Sequence, residues 1–87
     1  MNISFSRDIE PHLDASEGVA FQAVVDGDVV WCVISREALE DHFHCISPSG
    51  QLRVSTFKQN RARIEEVATR LLERSSGTER LLRSGDF

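Results

Sequence analysis

The densest group of side chains that could bind a metal or act as a nucleophile is His42, His44 and Cys45. On a helix, residues two positions apart point about 200° away from each other, so the two histidines are poorly placed to bind one ion. A tetrahedral zinc site would also need a further ligand, such as His12 or Cys32, brought close by the fold. We therefore expect both histidines at a helix C-terminus, where a cationic imidazole suits the helix dipole, and predict no metal and no cofactor.

The two cysteines predict free intracellular thiols. No C-x-x-C pair is present and Met1-Asn2-Ile3 opens no secretory signal, so we expect a cytoplasmic protein with neither a zinc ribbon nor a redox motif. Cys32 lies within a β-branched run and is interpreted as a small buried hydrophobe. Cys45, beside His44, is the better candidate for a reactive thiol, and a thiol- or metal-dependent enzyme at Cys45 and His44 is one alternative function.

Motifs of hydrolytic and phosphate-transfer enzymes are missing from the chain. It contains no G-x-S-x-G elbow, no Walker-type phosphate loop and no H-E-x-x-H. Glu37 and Glu40 form a carboxylate pair three residues apart, a spacing that is common on solvated helix faces. We predict no catalytic residues and expect a protein that is not an enzyme.

Length and charge limit the remaining functions. The 87 residues suffice for one domain over 1–87, and no apolar stretch approaches the ~18–20 residues that span a membrane. Residues 1–44 hold nine acidic and two basic side chains, whereas residues 45–87 hold eight basic and five acidic ones. The two halves could therefore attract each other within the fold or across a head-to-tail contact.

The second half also contains a basic helix with interleaved acids. Its cations are Lys58, Arg61, Arg63, Arg70 and Arg74. Glu65 and Glu66 are spaced to pair with Arg61 and Arg70, which favours a solvated, self-paired helix face. A nucleic-acid-associated regulator that uses these cations is the second alternative function, and the net charge of -4 argues against it.

A β-hairpin over residues 19–34 is the clearest structural element. Two β-branched and aromatic runs flank Asp26-Gly27-Asp28, and an Asp-Gly pair in that position is a strong signal for a type I′ turn. Alternation then divides the hairpin into two faces. One face holds Val19, Phe21, Ala23, Val25, Val30, Cys32 and Ile34, and the other holds Ala20, Gln22, Val24, Val29, Trp31 and Val33.

Both faces are mainly apolar, which is unusual for a hairpin with one wet face. Two short helices can cover one face of this sheet, and an exposed apolar face on a small protein usually marks an interaction site. We therefore predict partner binding, with homodimerisation as one form of it, through Val24, Val29, Trp31 and Val33. The alternative is that residues 6–18, with Ile9 and Leu13, fold back and shield Trp31.

The helices and the fold class complete the prediction. Ser35 is a good N-cap for a helix over about 36–46, whose apolar stripe is Leu39, Phe43 and Ile46. A longer helix is predicted over about 51–74. The fold class is α+β, with two layers: an antiparallel sheet centred on the hairpin and both helices on its Phe21 side.

The order of these features resembles a family of small bacterial proteins catalogued only as a domain of unknown function. The resemblance is carried by Phe21-x-x-x-Val25-x-Gly27, by Cys32-x-x-Ser35-x-Glu37-Ala38-Leu39, and by Phe57-x-x-Asn60-Arg61-x-x-Ile64-Glu65. It implies a two-layer α+β fold and a final strand that contains Leu81 and Leu82. It implies no activity, no cofactor and no catalytic residue. The segment Thr78–Arg83 departs from the more strand-like tail of the family.

Overall fold

The computed structural model describes residues 1–45 and 49–87. The strands are β1 (Ile3–Phe5), β2 (His12–Leu13), β3 (Val19–Val25), β4 (Asp28–Ile34) and β5 (Leu81–Leu82). The helices are α1 (Arg36–Phe43), α2 (Gly50–Gln59) and α3 (Arg61–Ser75), followed by a 3₁₀ turn at Ser84–Asp86. No helix in the described part of the chain is long and apolar enough to cross a membrane.

The β3–β4 hairpin is the centre of the sheet, as predicted. Val25 pairs with Asp28 across a two-residue turn, and Asp26 and Gly27 both take positive φ angles, of 51° and 87°. Glycine adopts such a conformation without steric cost, and aspartate tolerates it better than most residues. This turn sets the register in which Phe21 lies opposite Cys32, and Gln22 opposite Trp31.

Short strands extend the hairpin on both sides. β1 and β2 pair antiparallel with opposite ends of β3, and β5 pairs parallel with β4. The final strand with Leu81 and Leu82 is therefore confirmed. The sheet is mixed rather than purely antiparallel, because the chain returns to β4 through three helices and can then run in the direction of β4.

Helix α1 begins as predicted and ends earlier than predicted. The Ser35 hydroxyl accepts a hydrogen bond from the Ala38 amide at 3.1 Å, which caps the first turn. The helix ends at Phe43 because His44 adopts the left-handed conformation, with φ 56°. The predicted end at Ile46 lies outside the described residues.

The prediction of a single long helix over 51–74 is wrong in one respect, because the chain forms two helices, α2 and α3, that are separated at Asn60. The backbone of Asn60 leaves the helical region (φ −116°, ψ 21°), and its side-chain amide donates to the Thr56 carbonyl at 2.9 Å. Asparagine is a weak helix former because its side chain competes for backbone hydrogen bonds. The break gives three helices instead of the two that were predicted.

The core lies between the helices and one face of the sheet. All seven residues predicted for the Phe21 side of the hairpin are at most 9% exposed. The rings of Phe21 and Phe57 lie 4.9 Å apart, which packs α2 against β3. Ile64, Leu71 and further apolar residues of α3 complete the same cluster, which confirms the two-layer α+β fold.

Ion pairs connect the acidic first half of the chain to the basic second half. Arg7 pairs with Glu65, Glu10 with Lys58 at 2.6 Å, and Glu17 with Arg53 at 3.7 Å. Glu10–Lys58 and Glu17–Arg53 join acids of the first half to cations of the second, as the charge pattern allowed, whereas Arg7–Glu65 has the opposite polarity.

Glu65 is the most enclosed acid of these pairs. Its burial raises its pKa, but the hydrogen bonds and charges of Arg7 and Arg61 outweigh this effect and hold the pKa below its ordinary value. Arg61 also donates to the Ser6 carbonyl at 3.1 Å, so this cluster fastens the segment after β1 to the start of α3.

Candidate functional site

The sheet face opposite the helices is the candidate functional site. The strand register places nine residues on it: Ser4, His12, Ala20, Gln22, Val24, Val29, Trp31, Val33 and Leu81. We call this surface the open face. It exists because every second residue of a strand points away from the core, and all three helices pack on the other side.

The open face exposes large apolar side chains next to one another. Val29 is 57% exposed and Trp31 and Leu81 are each 41% exposed, while Val24 and Val33 are partly buried. All four residues predicted for partner binding therefore lie on one surface. The sequence did not indicate Leu81, because its place beside Val33 depends on the parallel pairing of β5 with β4.

None of the nine positions of the open face is occupied by Asp, Glu, Lys or Arg. Its polar centre is Gln22, whose side-chain oxygen accepts a hydrogen bond from the Ser6 hydroxyl at 2.6 Å. Charges that surround the face do not enter it, although 28% of the chain is charged. A surface that packs on this face therefore meets mainly apolar side chains, no charged Asp, Glu, Lys or Arg, and the Gln22 amide.

The segment 6–18 shields Trp31 only in part. His12 contacts the indole edge-on, with ring centroids 5.3 Å apart and an interplanar angle of 65°. Ile9 and Leu13, which were expected to cover Trp31 in the alternative, are themselves 40% and 43% exposed. One edge of the indole is covered and the remainder lies in the open face.

A shallow groove of about 730 Å³ adjoins the open face at His12. It lies between β2 and the start of α2, and its apolar walls are Leu13, Leu52 and Val54. Leu13 packs closely on the backbone of α2, since a Cβ atom at Gly50 would lie 2.6 Å from a Leu13 methyl carbon. The groove lies around the edge of the sheet, and apart from His12 its lining residues are outside the open face.

The basic helix residues are all engaged in ion pairs. The pairs are Lys58–Glu10 at 2.6 Å, Arg61–Glu65 at 2.7 Å, Arg63–Glu66 at 3.1 Å, Arg70–Glu66 at 3.3 Å and Arg74–Asp86 at 3.4 Å. The two pairings predicted from helix spacing, Arg61 with Glu65 and Arg70 with Glu66, are confirmed. A carboxylate beside each cation opposes the approach of a phosphate, and this arrangement disfavours the nucleic-acid alternative.

The His42, His44 and Cys45 group lies at the end of α1. His42 is in the last turn and His44 is the C-cap, as the dipole argument predicts, and Cys45 is buried at 7% exposure. Within residues 1–45 and 49–87, no group of three or more His, Cys, Asp or Glu side chains is placed to hold a metal ion.

His42 forms one arrangement that the sequence did not indicate. Its Nε2 lies 2.7 Å from the Ser84 carbonyl oxygen and 3.2 Å from the Ser84 hydroxyl, which itself donates to Asp41 at 2.5 Å. A carbonyl can only accept, so Nε2 must carry a proton and cannot remove one from Ser84. His42 is therefore not placed as a general base for Ser84, and the cluster holds the C-terminal turn against α1, where His42 also stacks on Phe87.

Cys32 is confirmed as a core residue. It is 0% exposed, and burial raises the pKa of its thiol to about 11. A thiol with so high a pKa is almost entirely protonated at neutral pH and is a poor nucleophile.

An open, mostly antiparallel sheet with helices on one side defines the chain as a two-layer α+β protein. The profile of the family described as "Protein of unknown function (DUF1488)" matches residues 3–81, and the chain belongs to that family. The resemblance inferred from the sequence is thereby confirmed. No curated protein matches the chain.

A solved structure shows the same fold. The chain is similar to a DUF1488 family protein of unknown function from Shewanella loihica PV-4, whose crystal structure was determined at 1.60 Å resolution. The two chains are 26% identical, the match covers 95% of this chain and 93% of the other, and the TM-score is 0.78.

Proposed function

We propose that this protein is a non-catalytic interaction module that forms a homodimer through the open face. The observation that carries the proposal is the contiguous exposure of Val29, Trp31 and Leu81 on a face without charged residues. Apolar patches of this kind on small proteins mark interaction surfaces. A reducing, cytoplasmic setting belongs to the same proposal, which is supported by two cysteines that are both free thiols.

The energetic support comes mainly from Trp31. A fully buried aromatic side chain removes roughly 150–250 Å² from water. With 41% of Trp31 still exposed, completing its burial would contribute about 1.5–2.5 kcal/mol per copy. Val29 and Leu81 add smaller terms of the same kind.

The charge pattern supports a second copy as the partner. The open face can pack on its own copy without bringing like charges together, because none of its nine positions is Asp, Glu, Lys or Arg. The whole chain has a net charge of -4, so two copies repel each other at long range. We therefore expect the dimer to strengthen as salt screens this repulsion.

The area of the face predicts how strong the dimer is. Two seven-residue strands and three strands of two or three residues cover roughly 350 Å², at about 3.4 Å per residue and about 4.8 Å between strands. A standard interface buries about 800 Å² per partner. We therefore expect a weak dimer that dissociates on dilution.

Sedimentation velocity over a range of protein concentrations tests the proposal. The matched variants are Leu81→Asp on the open face and Leu52→Asp on α2, since these leucines are 41% and 51% exposed. Leu81→Asp should abolish the dimer by placing two carboxylates in the contact, and Leu52→Asp should leave it unchanged. A wild-type chain that stays monomeric at the highest concentrations would refute the homodimer.

The same samples address the nucleic-acid alternative. A regulator that binds through Arg61 and Arg70 would bind DNA or RNA at low salt and lose affinity as salt rises. The proposed dimer has the opposite salt dependence. Salt titration of both properties therefore separates the two functions.

A further inference from the structure

Gln22 lies at the centre of the open face and is the one amide side chain among its positions. It is opposite Trp31 in the β3–β4 register and between Ala20 and Val24 along β3. The side chain is half-buried, and its neighbours on the face are mostly apolar. A polar group in this position would be enclosed by any partner that covers the face.

The hydrogen bonding of Gln22 is incomplete in the single chain. Its oxygen accepts from the Ser6 hydroxyl at 2.6 Å, and no described residue accepts a hydrogen bond from its amide nitrogen. A primary amide has two N–H donors and an oxygen with two lone pairs. Covering the face with a purely apolar partner would bury these donors unpaired, which is unfavourable.

We propose that Gln22 selects a second copy of this chain as the partner, because two Gln22 amides meet across a two-fold axis and bond to each other. This inference rests on the proposed homodimer and goes further by assigning its axis and its central contact. A primary amide is self-complementary, since each copy offers both a donor and an acceptor. Residues on a two-fold axis meet their own counterparts, so reciprocal amide bonds arise from symmetry alone.

The donors on the face constrain where the axis lies. An axis along the Gln22–Trp31 row places Gln22 against its counterpart, so that each amide donates one hydrogen bond to the other. An axis along the strands and midway between β3 and β4 would instead place Gln22 against Trp31 of the second copy. The indole nitrogen is a donor only, so that arrangement would leave the amide donors of Gln22 unpaired.

The row axis is also compatible with the rest of the face. It places Val24 and Val29 of one copy over Ala20 and Val33 of the other, and all of these residues are apolar. No charged residue is brought onto a like charge within the face. A single central polar pair of this kind can fix the register of an apolar contact, as polar core residues do in coiled coils.

Charge exchange at Gln22 tests the contact directly. Gln22→Glu and Gln22→Lys should each weaken self-association at least about 10-fold, because like charges meet on the axis. An equimolar mixture of the two variants should recover association as a heterodimer, which native mass spectrometry identifies by its mass. Gln59→Glu and Gln59→Lys, on the exposed end of α2, are the matched controls and should associate like the wild type.

A crosslinking measurement provides an independent readout for the case in which the charged variants fold poorly. Facing sheets lie about 10 Å apart, which is too far for a direct disulfide between strands. We expect a short bis-maleimide to link two Gln22→Cys chains into a covalent dimer. Val24→Cys is the control on the same face, because its two copies are separated by about 13 Å along the strand direction.

The results separate the two proposals. A wild-type dimer whose Gln22→Glu and Gln22→Lys variants do not recover as a mixture, or whose Val24→Cys crosslinks as fast as Gln22→Cys, overturns the role of Gln22 and leaves the homodimer standing. A wild-type monomer overturns both. Heterodimer recovery together with selective crosslinking at Gln22→Cys establishes the contact.

Discussion

The two faces of the β3–β4 hairpin have similar composition and opposite environments. Phe21 and Cys32 on the covered face are 1% and 0% exposed, whereas Val29 and Trp31 on the open face are 57% and 41% exposed. Both sets come from the same two strands and alternate along them. The comparison shows that apolarity alone did not decide which face became the core; the helices did, by packing on one side.

The largest effect is expected from Phe21→Ala on the covered face. The Phe21 ring packs against Phe57 and Phe5, and its loss should lower the free energy of unfolding by about 3–5 kcal/mol. Urea denaturation at low protein concentration measures this value. A loss of less than about 1 kcal/mol, the size expected of a surface substitution, would mean that the covered face is not the main core.

The rate at which a thiol is alkylated should differ between the covered face and the open face. Burial raises the pKa of Cys32 from 9.0 to about 11, which lowers its thiolate fraction about 100-fold at neutral pH before access is considered. In a variant that carries Val29→Cys, iodoacetamide should label the new thiol quickly and Cys32 only after unfolding. Equal labelling rates in the folded protein would contradict the difference between the faces.

Removing the charge of Glu65 tests the ion cluster beside the covered face. Glu65→Gln should cost about 2 kcal/mol of stability, because Arg7 and Arg61 lose a charged acceptor. Glu66→Gln is the matched control: Glu66 is an exposed acid paired with Arg63 and Arg70. Its loss should cost less than about 0.5 kcal/mol.

The pH dependence of the free energy of unfolding should also reveal the contribution of the Glu65 charge. The folded pKa of Glu65 lies below its ordinary value of 4.5, so the unfolded chain binds the proton more readily. Its contribution is therefore fully present above pH 4.5 and is lost as the pH falls through the folded pKa. Wild type and Glu65→Gln should converge in stability under acid, and a constant difference between them would contradict this assignment.

A smaller effect on folding than that of Phe21→Ala is expected from Trp31→Ala on the open face. Because 41% of Trp31 is exposed, its truncation should lower the free energy of unfolding of the monomer by only about 1–2 kcal/mol. The same variant should weaken the proposed dimer at least about 10-fold. A large loss of stability with unchanged association would reverse the roles of the two faces.

Much of this architecture was predictable from neighbouring residues. The Asp26-Gly27 turn and the alternation around it determined the hairpin and its two faces, and Ser35 determined the start of α1. The break at Asn60 was not predictable, because the apolar spacing of Phe57 and Ile64 is compatible with one continuous helix. Whether an asparagine stays within a helix or ends it depends on what the helical segments on either side pack against.

The candidate site divides in the same way. Val24, Val29, Trp31 and Val33 were predicted as a group because strand alternation places them on one side. Leu81 was missed, since its place on the face depends on pairing with Val33, 48 residues earlier in the chain. The pairing of Glu65 with Arg7 was missed for the same reason, with 58 residues between them.

The sequence by itself therefore determined the turn, the strand faces, the start of α1 and the two-layer class, because these depend on φ preferences and periodicity over a few residues. Only the tertiary structure decided how much of Trp31 is covered, how β5 joins the sheet and which carboxylates meet cations far away in the chain. Those outcomes depend on contacts between residues far apart in the chain, whose free energies appear only when the helices pack on the sheet.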